Sequence, residues 1–165
     1  MGGLYFTSVT LHVFAALVWL GGMFFLALVG APVLRRVEPA AVRARLFQQL
    51  GQQFRLVGWI AIGVLLVTGV LNLQLRGVLQ WELLSSDDFW ATRYGRSLAW
   101  KLGTVVVMIT ISAVHDFVDG PKASRLTPGT PAALRARRRS AWLARVNAAA
   151  GVVLVIAAVR LARGG

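Results

Sequence analysis

No charged side chain stands among the first 34 residues, and Leu4 to Val29 is almost wholly apolar. A helix needs about 20 apolar residues to cross the roughly 30 Å hydrocarbon core of a bilayer, so this run is long enough by itself. Soluble domains are about 45–50% apolar and about 25% charged, whereas this 165-residue chain is 57% hydrophobic and 15% charged. Leu56 to Leu75 is a second uncharged run. Two shorter ones, Leu102 to His115 and Val146 to Val159, reach spanning length when Lys101, Arg145 and Arg160 extend their charges to the headgroups. The expected architecture is all-α: a single membrane domain over residues 1–165, with a four-transmembrane-helix bundle and short interfacial or cytoplasmic helices. The spans are expected at about 4–30, 55–75, 98–118 and 142–161.

The formal charge of +12 is distributed by loop. Between spans one and two, Arg35, Arg36, Arg43, Arg45 and Arg55 oppose Glu38, a net +4. Between spans three and four, Lys122, Arg125, Arg135, Arg137, Arg138, Arg139 and Arg145 oppose Asp116 and Asp119, a net +5. The loop between spans two and three nets only +1. Lys and Arg collect on the cytoplasmic side of short loops, so both termini are expected outside a cytoplasmic (inner) membrane, with the two basic loops inside. Arginines so placed serve topology and anionic lipid, and nucleic acid is not an expected partner. Secretory signal peptides carry positive charge before an apolar run of about 7–15 residues. Here no side-chain charge precedes a longer run and Arg35-Arg36 follow it, so span one is expected to remain uncleaved.

The connections carry their own patterns. Val42, Leu46, Leu50 and Phe54 are four apart among arginines and glutamines, which predicts a helix on the inner membrane face or an extension of span two. Trp81, Phe89, Trp90 and Tyr94 lie among charges in 76–97, as in an outer interfacial lid. Pro121, Pro128, Gly129 and Pro131 predict a broken connection, with Thr130-Pro131 as N-cap and first turn of a basic helix leading into span four.

With no cysteine, two histidines and six acidic residues, any chemistry rests on few groups. Thiolate zinc sites, iron–sulfur clusters and redox cysteine pairs are excluded, and no Ser/His/carboxylate arrangement for hydrolysis is present. Polar residues inside a membrane are costly and therefore candidates for function: His12, Asn72, Lys101, His115 and Asn147, with the sulfurs of Met23 and Met108. Counted at 1.5 Å per residue, His12 lies about 12 Å deep and Met108 about 15 Å, while Met23 and His115 lie about 28 and 26 Å deep. At 100° per residue His12, Trp19 and Met23 share one stripe on span one, and Lys101, Met108 and His115 share another on span three. Facing stripes would make an outer His12/Met108 level and an inner Met23/His115 level. Imidazole with thioether suits copper, particularly Cu(I), and is also an axial pair for haem b. Beside these donors, Lys101 snorkels to the headgroups or meets a haem propionate. Trp19 packs the bundle or walls a cofactor, and Asn72 and Asn147 bond between helices or line the site. His115, beside Asp116 and Asp119 at the inner boundary, is either a hydrogen-bonded interfacial residue or, with Asp119 four positions on and on the same face, part of a short His–carboxylate metal site.

Several segments resemble the copper-resistance protein D (CopD) domain family: Leu11-His12-Val13 with Trp19-Leu20-Gly21-Gly22 in span one, Thr68-Gly69-Val70-Leu71 closing span two, and Thr92-Arg93-Tyr94-Gly95-Arg96-Ser97-Leu98 followed by Lys101 leading into span three. His115-Asp116-Phe117 through Gly120-Pro121 resembles an ending of short members. The resemblance implies a helical membrane bundle associated with copper uptake or tolerance, with His12 the carried-over position. Larger CopD proteins contain more spans, so a homodimer, or a redox or copper-delivery partner protein, is expected. Trp100-Lys101, after an early His followed by Trp and Gly, is more distantly similar to HemJ-type haem-binding oxidases. The expected function is copper handling without catalysis. A b-type haem redox protein and a ligand-free scaffold subunit are the alternatives.

Overall fold

The computed structural model describes residues 2–126 and 130–164, apart from the side chains of residues 123, 124 and 137. Pro128 and Gly129 lie outside the described residues. Among the described residues there is no strand. Four helices are long and apolar enough to cross a membrane: α1 Gly2–Leu34, α2 Ala40–Leu75, α5 Arg93–Lys122 and α6 Pro131–Ala162. Two short helices, α3 Trp81–Leu84 and α4 Asp87–Ala91, form the expected aromatic connection. The residues group into two compact units, Met1–Ser86 and Asp87–Gly165, each built on one antiparallel hairpin: α1 with α2, and α5 with α6.

The helices outrun the uncharged segments. The 36-residue α2 is about 54 Å long, well beyond a hydrocarbon core of about 30 Å. The amphipathic segment 40–54 is therefore an extension of span two. Likewise the basic segment opening at Pro131 continues without a break into span four. Charge ends a span but not a helix, because Arg and Gln are good helix formers.

Two prolines sit inside helices. Pro32 and Pro121 lack an N–H, and each ring would clash with the carbonyl four residues back, Leu28 and Phe117. Both carbonyls lie within π-helical stretches, Leu26–Gly30 and Val114–Asp119. There Ala31 N–H reaches Leu26 O, and Gly120 N–H reaches His115 O. The wider turn absorbs the proline without ending the helix. Pro121 thus does not break the connection as expected, since the chain stays helical through Gly120–Ser124.

The ends are capped as their residues dictate. Thr130 Oγ1 accepts from Ala133 N–H at 3.2 Å, with Pro131 in the first turn. Thr92 Oγ1 accepts from Gly95 N–H at 2.9 Å to open α5. After α2, Gly77 adopts φ +69°. Its N–H bonds Gln74 O, and Val78 N–H bonds Leu73 O, a paired C-terminal cap with Val78 buried. Outside these links the helix surfaces are strongly apolar, with Phe6 72% and Leu28 73% exposed. This suits lipid contact and leaves hairpin packing to small residues and hydrogen bonds.

Candidate functional site

In the first unit one stripe of α1 carries Ser8, His12, Ala15 and Trp19, and all but His12 are buried. The facing stripe of α2 carries Gly58, Ala61, Thr68 and Gly69. A Cβ added to Gly69 would lie 3.5 Å from His12 Cε1, and one at Gly58 would lie 3.7 Å from Trp19 Cδ1. Gly22 meets the ring of Phe54 so closely that a methyl there would displace it. This is close approach through small residues, as membrane helices require. Register follows: Tyr5 stands against Arg76 (Nε to phenol oxygen 2.7 Å), His12 against Thr68, Trp19 against Gly58, and Gly22 against Phe54.

The His12–Thr68 contact sets the chemistry of the imidazole. His12 Nδ1 and Thr68 Oγ1 are 2.8 Å apart, and Thr68 Oγ1 is 2.6 Å from Val64 O. A hydroxyl has one proton. If it pointed at Nδ1, two oxygen lone pairs would face each other across 2.6 Å. The proton therefore goes to Val64 O, and Thr68 accepts from His12 Nδ1–H. The ring is then the Nδ1–H tautomer and carries its lone pair on Nε2. Orienting a ligand imidazole through its other nitrogen is the usual outer-shell device of metal sites. Ser8 Oγ donates to Thr68 O at 3.5 Å, and Asn72, one turn beyond Thr68, has a buried Oδ1 without a hydrogen-bond partner among the described residues.

Met23 follows Gly22 and so stands level with Gln53 and Phe54 in the register of the antiparallel hairpin.

In the second unit Met108 is fully buried, at 0% exposure. One turn further, Asn147 Nδ2 donates to Ser112 Oγ at 2.9 Å, linking α6 to α5. Asp119, with a side chain only 7% exposed, pairs with Arg139 Nε at 3.1 Å. His115 lies between those two links along α5, with its side chain 39% exposed. Its Nδ1 is 2.9 Å from Asp116 Oδ1. The 100° count that placed His115 on the Met108 stripe ends at Ala113, because Val114–Asp119 is π-helical. The carboxylate beside His115 is that of Asp116, and Asp119 faces Arg139. Lys101 is half-buried near the other end of α5. His12, Asn72, Trp19 and Met23 thus belong to the first unit, and Met108, His115, Lys101, Asp119 and Asn147 to the second. Among the described residues no three His or carboxylate side chains cluster as a metal site. The donors that remain are imidazole and thioether.

Sequence reasoning missed Thr68 as the partner of His12, and Ser112 as that of Asn147. A hydroxyl in an apolar run passes for packing, although the paired Thr68-Gly69 offers a signal: the threonine accepts and the glycine makes room for the ring. The Thr92–Gly95 element is structural. A Cβ on Gly95 would collide with the Phe89 carbonyl, which Thr92 Oγ1 also bonds.

The family model described as Copper resistance protein D matches residues 48–161. The chain belongs to that family. It is a multi-pass membrane protein of the copper-resistance class. The matched stretch holds Thr68, Gly69, Thr92, Gly95, Lys101 and Met108, and leaves His12 and Met23 before its start. An uncharacterized protein of Aquifex aeolicus (strain VF5) is 32% identical over 155 residues, spanning 93% of this chain and 92% of its own. No solved structure matches the chain.

Proposed function

We propose that this CopD-family chain handles copper as Cu(I), its cargo, in uptake or tolerance, and that it does so without catalysing a reaction. His12 Nε2 supplies the nitrogen donor in the first unit, with the sulfurs of Met108 and Met23 and the imidazole of His115 as the further candidate donors. The observation that carries this reading is the Thr68 hydroxyl. It holds His12 in the tautomer that presents Nε2, inside a membrane-spanning helix where an imidazole is costly to keep. Cu(I) is the fitting ion because nitrogen and thioether are soft or borderline donors, and carboxylates suit harder ions. The basic loops support an orientation with the His12 end of α1 outside the cytoplasmic membrane and Met23 near its inner face.

Detergent-purified protein loaded with Cu(I) and passed through a desalting column tests the reading. One copper per chain should survive, and His12→Ala should lose it. Met108→Leu, Met23→Leu and His115→Ala, each measured singly, then show which of these donors adds to the affinity. Reduced Soret and α bands that vanish in His12→Ala would instead assign the imidazole to haem b. Retention of copper by His12→Ala would overturn the reading.

A further inference from the structure

The second unit carries a groove of about 540 Å³ between α5 and α6, open along its length and apolar over most of its wall. Trp90 and Trp100 flank it, Gly103, Val107 and Val153 line it further along, and Arg96 stands at its Trp end. Two features bear on what it can hold. Gly103 lines the groove, and a Cβ built on it meets nothing within 4 Å, so a side chain there would project into the open space. The Arg96 guanidinium spends one of its five N–H groups on Ala91 O, at 2.8 Å, and the residue is exposed. The hydroxyl of Thr104, also in the wall, donates to Trp100 O at 2.7 Å, so the interior asks for no polar ligand.

We infer that this groove binds a single anionic phospholipid, its phosphate on Arg96 and one acyl chain along Gly103 to Val107. The dimensions fit. From Arg96 to Val107 is eleven residues, about 16 Å along the axis, which is half of a roughly 30 Å hydrocarbon core and so one leaflet. The charge fits as well, because a guanidinium matches phosphate oxygens in a fork and tryptophans favour the same headgroup level. An uncharged isoprenoid, or a helix of a second copy, would fill the groove without using Arg96. The inference is independent of the copper reading, since none of these residues is a proposed copper donor.

The test is native mass spectrometry of the full chain reconstituted in vesicles of phosphatidylglycerol and phosphatidylcholine. The wild type should retain one lipid, with phosphatidylglycerol enriched about fivefold, the weight of one arginine at a membrane surface. Arg96→Gln should abolish the enrichment and still retain a lipid, and Arg96→Lys should keep most of it. Gly103→Leu fills the groove and should lose the lipid while its helical melting stays near wild type. Should that variant fold poorly, Arg96→Gln against Arg96→Lys decides alone. Equal retention of both lipids by the wild type would overturn the inference. So would enrichment unchanged in Arg96→Gln, or crosslinked dimers formed through Gly103→Cys.

Discussion

At the scale of residues, Thr68 is the side chain on which most depends. Thr68→Val keeps the shape of the side chain but removes the acceptor, leaving His12 Nδ1–H without its partner. Losing this bond from a part-buried donor costs about 0.5–1.5 kcal/mol, to be read by thermal unfolding in detergent. Loss of an outer-shell partner typically weakens metal affinity 10–100-fold, so Cu(I) competition titration should show a drop of that order, and Thr68→Ser should restore most of it. Arg139 and Asp119 give a second expectation. Asp119 is nearly buried and Arg139 is 61% exposed. Arg139→Gln strands a buried carboxylate, whereas Asp119→Asn strands a cation that water can reach, so Arg139→Gln should lower the melting temperature more. His12 was legible in the sequence because a polar group in an apolar run announces itself. Its partner was not, since one hydroxyl among valines and leucines carries no such mark. The tie of Asp119 to Arg139 was hidden as well, because spacing of four implies a shared face only while the helix remains α.

At the scale of elements, hydropathy located all four spans and understated all four helices. Runs without charge report what the bilayer can accept, while helix propensity lets Arg, Lys and Gln continue the same rod into the headgroups. The π-helical stretches were not legible either. Pro121 reads as a break, and the structure turns it, like Pro32, into a wide turn. The Thr92–Gly95 element makes a specific expectation. Gly95→Ala forces its new methyl onto the Phe89 carbonyl, an overpacking cost of about 1–3 kcal/mol. Hydrogen exchange should quicken across 87–96, with the α1–α2 hairpin left as protected as in the wild type.

At the scale of the whole molecule, the all-helical membrane class and the family could both be read from the sequence, one from composition and the other from short motifs. The grouping into two hairpin units could not, because helices packed by glycine and hydroxyl leave no periodic signature in hydropathy. Topology is open to direct test, since the chain lacks cysteine. Ser86→Cys should react with a membrane-impermeant maleimide on intact cells, and Arg36→Cys only after permeabilisation. The reverse pattern would invert the orientation. The most direct measurement is X-ray absorption at the copper edge on the Cu(I)-loaded full chain. Imidazole nitrogen and thioether sulfur should both appear in the first shell, the imidazole lost in His12→Ala and the sulfur in Met108→Leu or Met23→Leu. A shell of oxygen alone, or one unchanged by either substitution, would contradict copper handling at His12.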